Sequence, residues 1–347
     1  MRAVQYAEFR GAVAVREVPD PSAPADGAII RVEATGLCRS DWHGWMGHDP
    51  DIRLPHVPGH EFAGTIEAVG PDVTRWRSGA RVTFPFIGAC GSCPSCLAGD
   101  EQVCEAQDQP GFSRWGSFAE FVAVARADVN LIALPDDLDS VTAAALGCRF
   151  ATAYRAVMAQ GRARDGEWVA VHGCGGVGLS AVMIAVAAGA RAVAVDVSPA
   201  ALAAAGALGA VALIDARDSD VASAIEAATD GGAHLSIDAL GSTETCLNSV
   251  ASLRRRGRHV QAGLMVGTDA RPPIPMDRVL SRELELIGSH GMPPHDYPEM
   301  LARVGDGRLR PDQLVGRTIS LENVPEALIA MSGPSTVAGM TVVLPAP

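Results

Sequence analysis

Between about residue 167 and residue 290 short apolar runs alternate with alanine-rich stretches. The runs 169–172, 192–195, 211–214, 235–237 and 259–262 have the length and continuity of buried strands, and 177–188, 199–208, 220–229 and 243–253 read as helices between them. Regular strand–helix alternation predicts a parallel, doubly wound sheet. Up to about residue 135 the texture differs: β-type runs at 28–32, 61–69 and 118–124 are broken by Gly and Pro, the pattern of an irregular β-rich domain. After about residue 291 helix and turn signals mix and end in a strand at 340–344. Internal repeats, low-complexity tracts and apolar runs of membrane-spanning length are missing.

A chain of 347 residues, 48% hydrophobic, has material for about two domains with buried cores. Net charge is −12, and the one basic cluster, Arg254, Arg255, Arg256 and Arg258, reads as solvated surface, so a nucleic-acid partner is not expected. The opening residues alternate like a strand and show neither a leader nor an anchor, so a cytoplasmic protein without membrane attachment is expected. All 28 basic residues are arginine. Schiff-base chemistry, a P-loop nucleotidase and the Tyr/Lys dehydrogenases each need an ammonium group, and all three are excluded.

Four of the eight cysteines fall in the run Cys90-x2-Cys93-x2-Cys96-x7-Cys104. Four thiolates in a Gly/Pro-containing loop suit a closed tetrahedral zinc site, which leaves no open position and therefore holds the loop instead of a substrate. Further on, Trp168-Val-Ala-Val-His-Gly-Cys-Gly-Gly-Val-Gly sets Gly173, Gly175, Gly176, Val177 and Gly178 between a strand and a helix. In that setting the glycines permit a tight turn, close approach of a pyrophosphate and close helix packing, with the helix N-terminus facing the phosphates. Asp196 follows the next strand, where a carboxylate bonds the adenosine ribose and repels a 2′-phosphate, so NAD(H) is expected in preference to NADP; Arg191 is the one nearby cation that could oppose this.

A second set of metal-binding types is spread through the chain: Gly-Leu-Cys38-Arg-Ser-Asp-Trp-His43, then Pro-Gly-His60-Glu61. Singly these are ordinary core or surface residues. Together Cys38 and His60 supply two ligands of mixed type, and a third from Cys148, in Gly-Cys-Arg-Phe-Ala-Thr, leaves a fourth position open for water or substrate.

With these motifs in this order, the chain resembles the medium-chain zinc-dependent alcohol dehydrogenases over essentially its whole length. The resemblance implies a GroES-like catalytic domain at 1–150, completed by 291–347, and a Rossmann NAD-binding domain at 151–290. It implies one catalytic zinc held by Cys38, His60 and Cys148, with Glu61 as the acidic neighbour of the metal, and one structural zinc held by Cys90, Cys93, Cys96 and Cys104. Asp41 is then the partner of His60, Ser40 and His43 the proton relay that runs through the cofactor ribose, and Arg39 the contact to the pyrophosphate. Thr152 faces the nicotinamide, and Leu264 and Ser289 lie along the cofactor. A homotetramer is implied by likeness to bacterial and yeast-like members.

The implied reaction moves a hydride between an alcohol or aldehyde and NAD(H), with zinc as Lewis acid at the alcohol oxygen. Phe86 and Trp45 stand at pocket-like positions or belong to the core; as pocket walls they favour a medium-chain or aromatic primary alcohol. A polyol or amino-alcohol dehydrogenase of the same family is the alternative, and a non-catalytic relative is disfavoured because the zinc ligands are present. One departure stands out. Where many members carry an arginine shortly before the C-terminus this chain has Met340, and an arginine, Arg149, follows the third zinc ligand instead. Arg149 is therefore expected to pair with Glu61 or to reach the NAD pyrophosphate beside Arg39.

Overall fold

The structure, a computed structural model, describes residues 1–218, 220–333 and 338–345. Of the segment 291–347 expected to complete the N-terminal region, residues 334–337 and 346–347 thus lie outside the described residues. Strands β1 (Arg2–Tyr6) and β2 (Val13–Glu17) form an antiparallel hairpin. The N-terminal region continues with β3 (Ala28–Leu37), β4 (Glu61–Val69), β5 (Arg81–Thr83), β6 (Phe121–Val124) and β7 (Ile132–Ala133). The alternating region gives β8 (Trp168–His172), β9 (Arg191–Asp196), β10 (Ala212–Asp215), β11 (Ala233–Asp238), β12 (Leu253–Gln261) and β13 (Glu285–Gly288). The C-terminal segment adds β14 (Val315–Ser320) and β15 (Met340–Leu344).

Strands β8 to β13 make one sheet in the order β10-β9-β8-β11-β12-β13, parallel at every pairing. The order reverses between β8 and β11, so the crevice beyond the carboxyl ends of these strands is where such a sheet takes a ligand. Helices Gly176–Ala187, Pro199–Ala207, Val221–Thr229 and Thr243–Ala251 occupy the predicted connections. Strand β12 starts six residues before the predicted 259, because Leu253 and Gly257 turn inward while Arg255 and Arg256 face solvent. Within the basic cluster only those two are exposed: Arg258 is buried against Glu167 at 2.5 Å, and Arg254 bonds His234 at 2.8 Å.

The second sheet runs β14-β15-β3-β4-β5-β7, with β6 also paired to β3. Strand β15 pairs with β3, Val343 facing Thr35, so the end of the chain closes the sheet begun near its start. Antiparallel pairing sets Gly36 of β3 opposite Glu61 of β4. This register brings Cys38, just past β3, beside His60, just before β4. Met340 is fully buried in an apolar cluster with Leu146, Phe150, Val171 and Leu179. Each such side chain contributes about 1.5–3 kcal/mol of transfer free energy.

Candidate active site

Ligand atoms of Cys38, His60, Glu61 and Cys148 all lie within 4.8 Å of one another, and all four residues are buried. Cys38 caps helix Arg39–Trp45, His60 enters β4, and Cys148 sits in the π-helical turn Leu146–Phe150. Cys148 lies beside Cys38; that neighbour, helped by His60 and opposed by burial, holds the Cys38 thiol well below its ordinary range, and Cys148 is pushed well up. A dication held between the two sulfurs would take both as thiolates. His60 Nε2 is buried without a hydrogen-bond partner among the described residues. A buried lone pair beside two sulfurs fits a borderline-soft cation such as zinc, with Cys38, His60 and Cys148 as donors.

Asp41 ties this donor set together. Its Oδ1 accepts from His60 Nδ1 at 2.9 Å and from the Gly59 N–H at 3.0 Å, and its Oδ2 accepts from the Cys38 N–H at 2.8 Å. The third helical residue thereby closes a capping box on Cys38 and also fixes the His60 tautomer, leaving Nε2 as the lone-pair nitrogen. Burial pulls the His60 pKa down, but the Asp41 charge and hydrogen bond override it and the net shift is well upward, so a bound cation would take the place of a proton at Nε2.

Glu61 is within reach of the donor set, yet its carboxylate is taken. Arg149 donates its backbone N–H at 2.8 Å to Oε1, Nε at 3.0 and 2.9 Å to the two oxygens, and an Nη2–H to Oε2. Of the two roles expected for Arg149, the geometry has the pairing with Glu61. Three glycines make the room: a Cβ on Gly36 would strike Glu61 and Arg149, one on Gly147 would lie 2.8 Å from the Glu61 Cβ, and one on Gly176 would strike the Arg149 stem. Burial pushes Glu61 up and Arg149 draws it back only in part.

Ser40 Oγ lies 3.7 Å from the Cys38 sulfur. His43, three residues on, is half-buried, and burial, His48 and Arg39 push its pKa down to about 4. The Arg39 guanidinium donates to the Met331 carbonyl and stacks on Trp42 at 5.1 Å. Phe86 and Phe112 flank the His60 ring with centroids 6.2 and 5.0 Å away. Sequence reading missed Phe112, which stands in an irregular loop with no periodic signal. Trp45 is core: it packs with Val4, Tyr6, Phe118 and Leu328, and donates its indole N–H to Gly11. Beyond Phe86, His290 also lines a cavity of about 380 Å³ with Gln102, Val103, Arg155, Gln261 and Ser289.

The sulfurs of Cys90, Cys93, Cys96 and Cys104 are separated by 3.4 to 3.9 Å where contacts are resolved. A tetrahedron with Zn–S of about 2.3 Å has edges of about 3.8 Å, whereas a disulfide needs about 2.05 Å. The N–H groups of Cys93 and Ser92 point at the Cys90 sulfur (3.2 and 3.5 Å), those of Cys90 and Ala106 at Cys104 (3.2 and 3.3 Å), and Gly91 at φ +74° makes the turn. Donors aimed at sulfur favour thiolates, and the donor set fits a closed zinc site.

Past β8, Gly173 turns at φ +88°, a Cβ on Gly178 would collide with the Gly173 carbonyl, and Gly175 faces open space at the start of helix Gly176–Ala187. That opening, with helix amides at its floor, fits a pyrophosphate. Asp196 ends β9, accepting from the Cys174 N–H at 2.6 Å and the Ser198 N–H at 2.8 Å. Arg191 begins the same strand, about 16 Å away at about 3.3 Å per residue, and stacks on Trp168, so it does not oppose Asp196. Val177 packs against the core, Thr152 is buried, Leu264 is exposed, and the Ser289 hydroxyl is buried without a partner among the described residues.

Residues 24–136 match the alcohol dehydrogenase GroES-like domain, and residues 176–306 match the zinc-binding dehydrogenase family. An alcohol dehydrogenase of Geobacillus stearothermophilus is 35% identical over 89% of this chain and 90% of its own length. An NAD-dependent alcohol dehydrogenase of Sulfurisphaera tokodaii is 32% identical over 94% of this chain and 95% of its own. Among solved structures, the alcohol dehydrogenase TADH of Thermus sp. ATN1 superposes with a TM-score of 0.89 at 32% identity, covering 99% of both chains. With both donor sets assembled on a GroES-like and a Rossmann sheet, the chain belongs to the zinc-dependent medium-chain alcohol dehydrogenase family.

Proposed function

We propose that the protein oxidises primary alcohols to aldehydes, and the reverse, with NAD(H). The observation that carries this reading is the buried Cys38–His60–Cys148 set, whose unpartnered His60 Nε2 faces two sulfurs beside a nucleotide crevice. When bound, zinc supplies a Lewis acid toward the alcohol oxygen and NAD a hydride acceptor. The protein's share is binding and positioning. Cys38, His60 and Cys148 hold the metal, Asp41 orients His60, and Arg149 keeps Glu61 occupied away from it. Ser40 Oγ receives the alcohol proton, and His43 carries it outward. Phe86 and Phe112 present aromatic edges and exclude water near the reacting carbon. Gly173, Gly175, Gly176, Val177 and Gly178 cradle the cofactor, Asp196 bonds its ribose, Arg39 answers the pyrophosphate, and Thr152, Leu264 and Ser289 line the nicotinamide end. The cysteines at 90, 93, 96 and 104 hold a second, structural zinc.

Rings beside His60 support a medium-chain or aromatic alcohol. Gln102 and Arg155, which line the cavity beyond His290, support a second reading, a polyol or amino alcohol whose far end bonds one of them. We place the domain divisions at 150/151 and 290/291, in the connections by which the chain passes from one sheet to the other and back. Exposed Met276, Leu280 and Leu286 offer apolar surface that a second copy would cover, in keeping with a homotetramer. Among the described residues no helix is long and apolar enough to cross a membrane, and a cytoplasmic location suits the free thiols. An NAD+-coupled screen of benzyl, linear and polyhydroxy alcohols tests the function: turnover of the aromatic or linear class supports the first reading, polyol turnover the second, and turnover of none overturns both.

A further inference from the structure

Two imidazoles meet at the end of helix Arg39–Trp45. His43 Nδ1 lies 2.8 Å from His48 Nδ1, a separation that requires an N–H on one ring and a lone pair on the other. Gly47, at φ +79°, makes the turn that returns His48 over the helix, and the His48 backbone N–H is anchored on the His43 carbonyl at 3.0 Å. Trp42 stands edge-on to both rings, 5.0 and 5.8 Å between centroids, with its own N–H on the Ser332 hydroxyl at 2.9 Å. The pair is therefore held by backbone, turn and aromatic contacts together. His48 itself is exposed.

We propose that His43 and His48 form a two-imidazole proton wire in which His48 hands the alcohol's proton to solvent. This rests on the alcohol oxidation proposed above. In the resting pair His43 carries its proton on Nδ1 and His48 on Nε2. As a proton arrives at His43 Nε2, the His43 Nδ1–H bond breaks and that proton joins the lone pair of His48 Nδ1. The His48 Nε2 proton then leaves to water, one proton entering and one departing with no electron transferred. Both rings return to their starting tautomers by exchange through solvent.

The charges around the pair explain why a single ring is not enough. Arg39 on the same helix, Arg10 from the β1–β2 turn, with its Nε 3.4 Å from the Met46 carbonyl, and His48 itself are cationic or potentially so; Asp49 and Cys38 are the acidic groups nearby. Among the described residues that follow helix Val324–Ala330, Arg39 meets the Met331 carbonyl and Trp42 the Ser332 hydroxyl. Burial and these neighbours keep His43 neutral, with a pKa near 4, so a proton stored on it at neutral pH would be poorly held. Simultaneous uptake at Nε2 and release from Nδ1 avoids that charge.

The test uses the zinc-loaded full chain with His48→Ala and His48→Gln, read from pH 6 to 9. In a weak, non-imidazole buffer we expect alcohol oxidation by either variant to fall about 10-fold near pH 6.5 and to recover to within about 2-fold at pH 9, where hydroxide takes the proton. Added imidazole restores the low-pH rate, while zinc content and NADH affinity stay unchanged. Imidazole 15N NMR reads the pair without turnover: His43 is Nδ1-protonated in the wild type and loses that tautomer in His48→Ala. A pH profile superimposable on the wild type's, or a His43 tautomer indifferent to His48, overturns the wire. A wild type with no alcohol oxidation instead overturns the proposed function, and the tautomer signature then decides the pair by itself.

Discussion

Replacing Arg149 by methionine keeps most of its stem against Gly176 but removes every side-chain donor from a fully buried carboxylate. Removing one partner of a buried pair costs about 3–5 kcal/mol, since the survivor is left desolvated and uncompensated. Here Glu61 keeps only the Arg149 backbone N–H, at 2.8 Å, so we expect about 3 kcal/mol for Arg149→Met. Glu61→Gln alone should cost a similar amount, because it strands the guanidinium. Apolar or neutral replacement of both partners is far milder, so the double variant should recover about 2 kcal/mol or more of the summed losses. The assay is the urea midpoint at fixed protein concentration and fixed zinc, with slopes compared to confirm that the same transition is being read. NADH affinity, followed by fluorescence, is the second readout, because the Arg149 stem packs under the first residue of the nucleotide-facing helix. Additive losses, or an Arg149→Met variant as stable as the wild type, would refute the reasoning.

Two further outcomes follow from single residues. His56 is buried, bonds the Gly111 carbonyl at 2.9 Å, and has a pKa pushed down to about 4, chiefly by burial. Its folded pKa lies below the unfolded value of about 6.5, so its contribution is full above pH 6.5 and is lost as the pH falls toward 4; between pH 7.5 and 5 it should remove about 2 kcal/mol. His56→Gln should flatten the acid limb of the thermal stability curve, and an unchanged limb would count against it. Asp196→Ser should relax the preference for NAD over NADP by removing the repelling carboxylate, and a wild type with higher kcat/KM for NADPH than for NADH would reverse that assignment.

The nucleotide half was legible because its inner strands β8, β9 and β11 are buried along nearly their whole length and read as apolar runs. Strands β8, β9, β10 and β11 lie within two residues of their predicted limits. Strand β13 escaped because it is an edge strand of four mostly exposed residues, and the first half of β12 because arginines cover its solvent side. In the N-terminal half β3 runs to Leu37, five residues past the predicted run, since its polar positions pair with β4, β6 and β15 instead of alternating against one core. Local spacing could propose Cys38 and His60 as ligands, but the turn that delivers Cys148 is π-helical around Gly147, at ψ −108°, which no periodicity announces. The Arg149–Glu61 pair was reachable from a missing charge at Met340, whereas the three glycines that admit it were not. For Trp45 position along the chain left pocket wall and core both open, and packing makes it core.

The central claim is that this fold carries two zinc sites of unequal role. Zinc quantified on protein assayed for NAD+-dependent alcohol oxidation tests it, with Cys38→Ser and Cys93→Ser measured beside the wild type. The account predicts two zinc ions per chain in active wild type, one in a folded and inactive Cys38→Ser, and an unfolded or strongly destabilised Cys93→Ser, since structural zinc binding is coupled to folding. Full activity with one zinc or none, or an active Cys38→Ser, would contradict it.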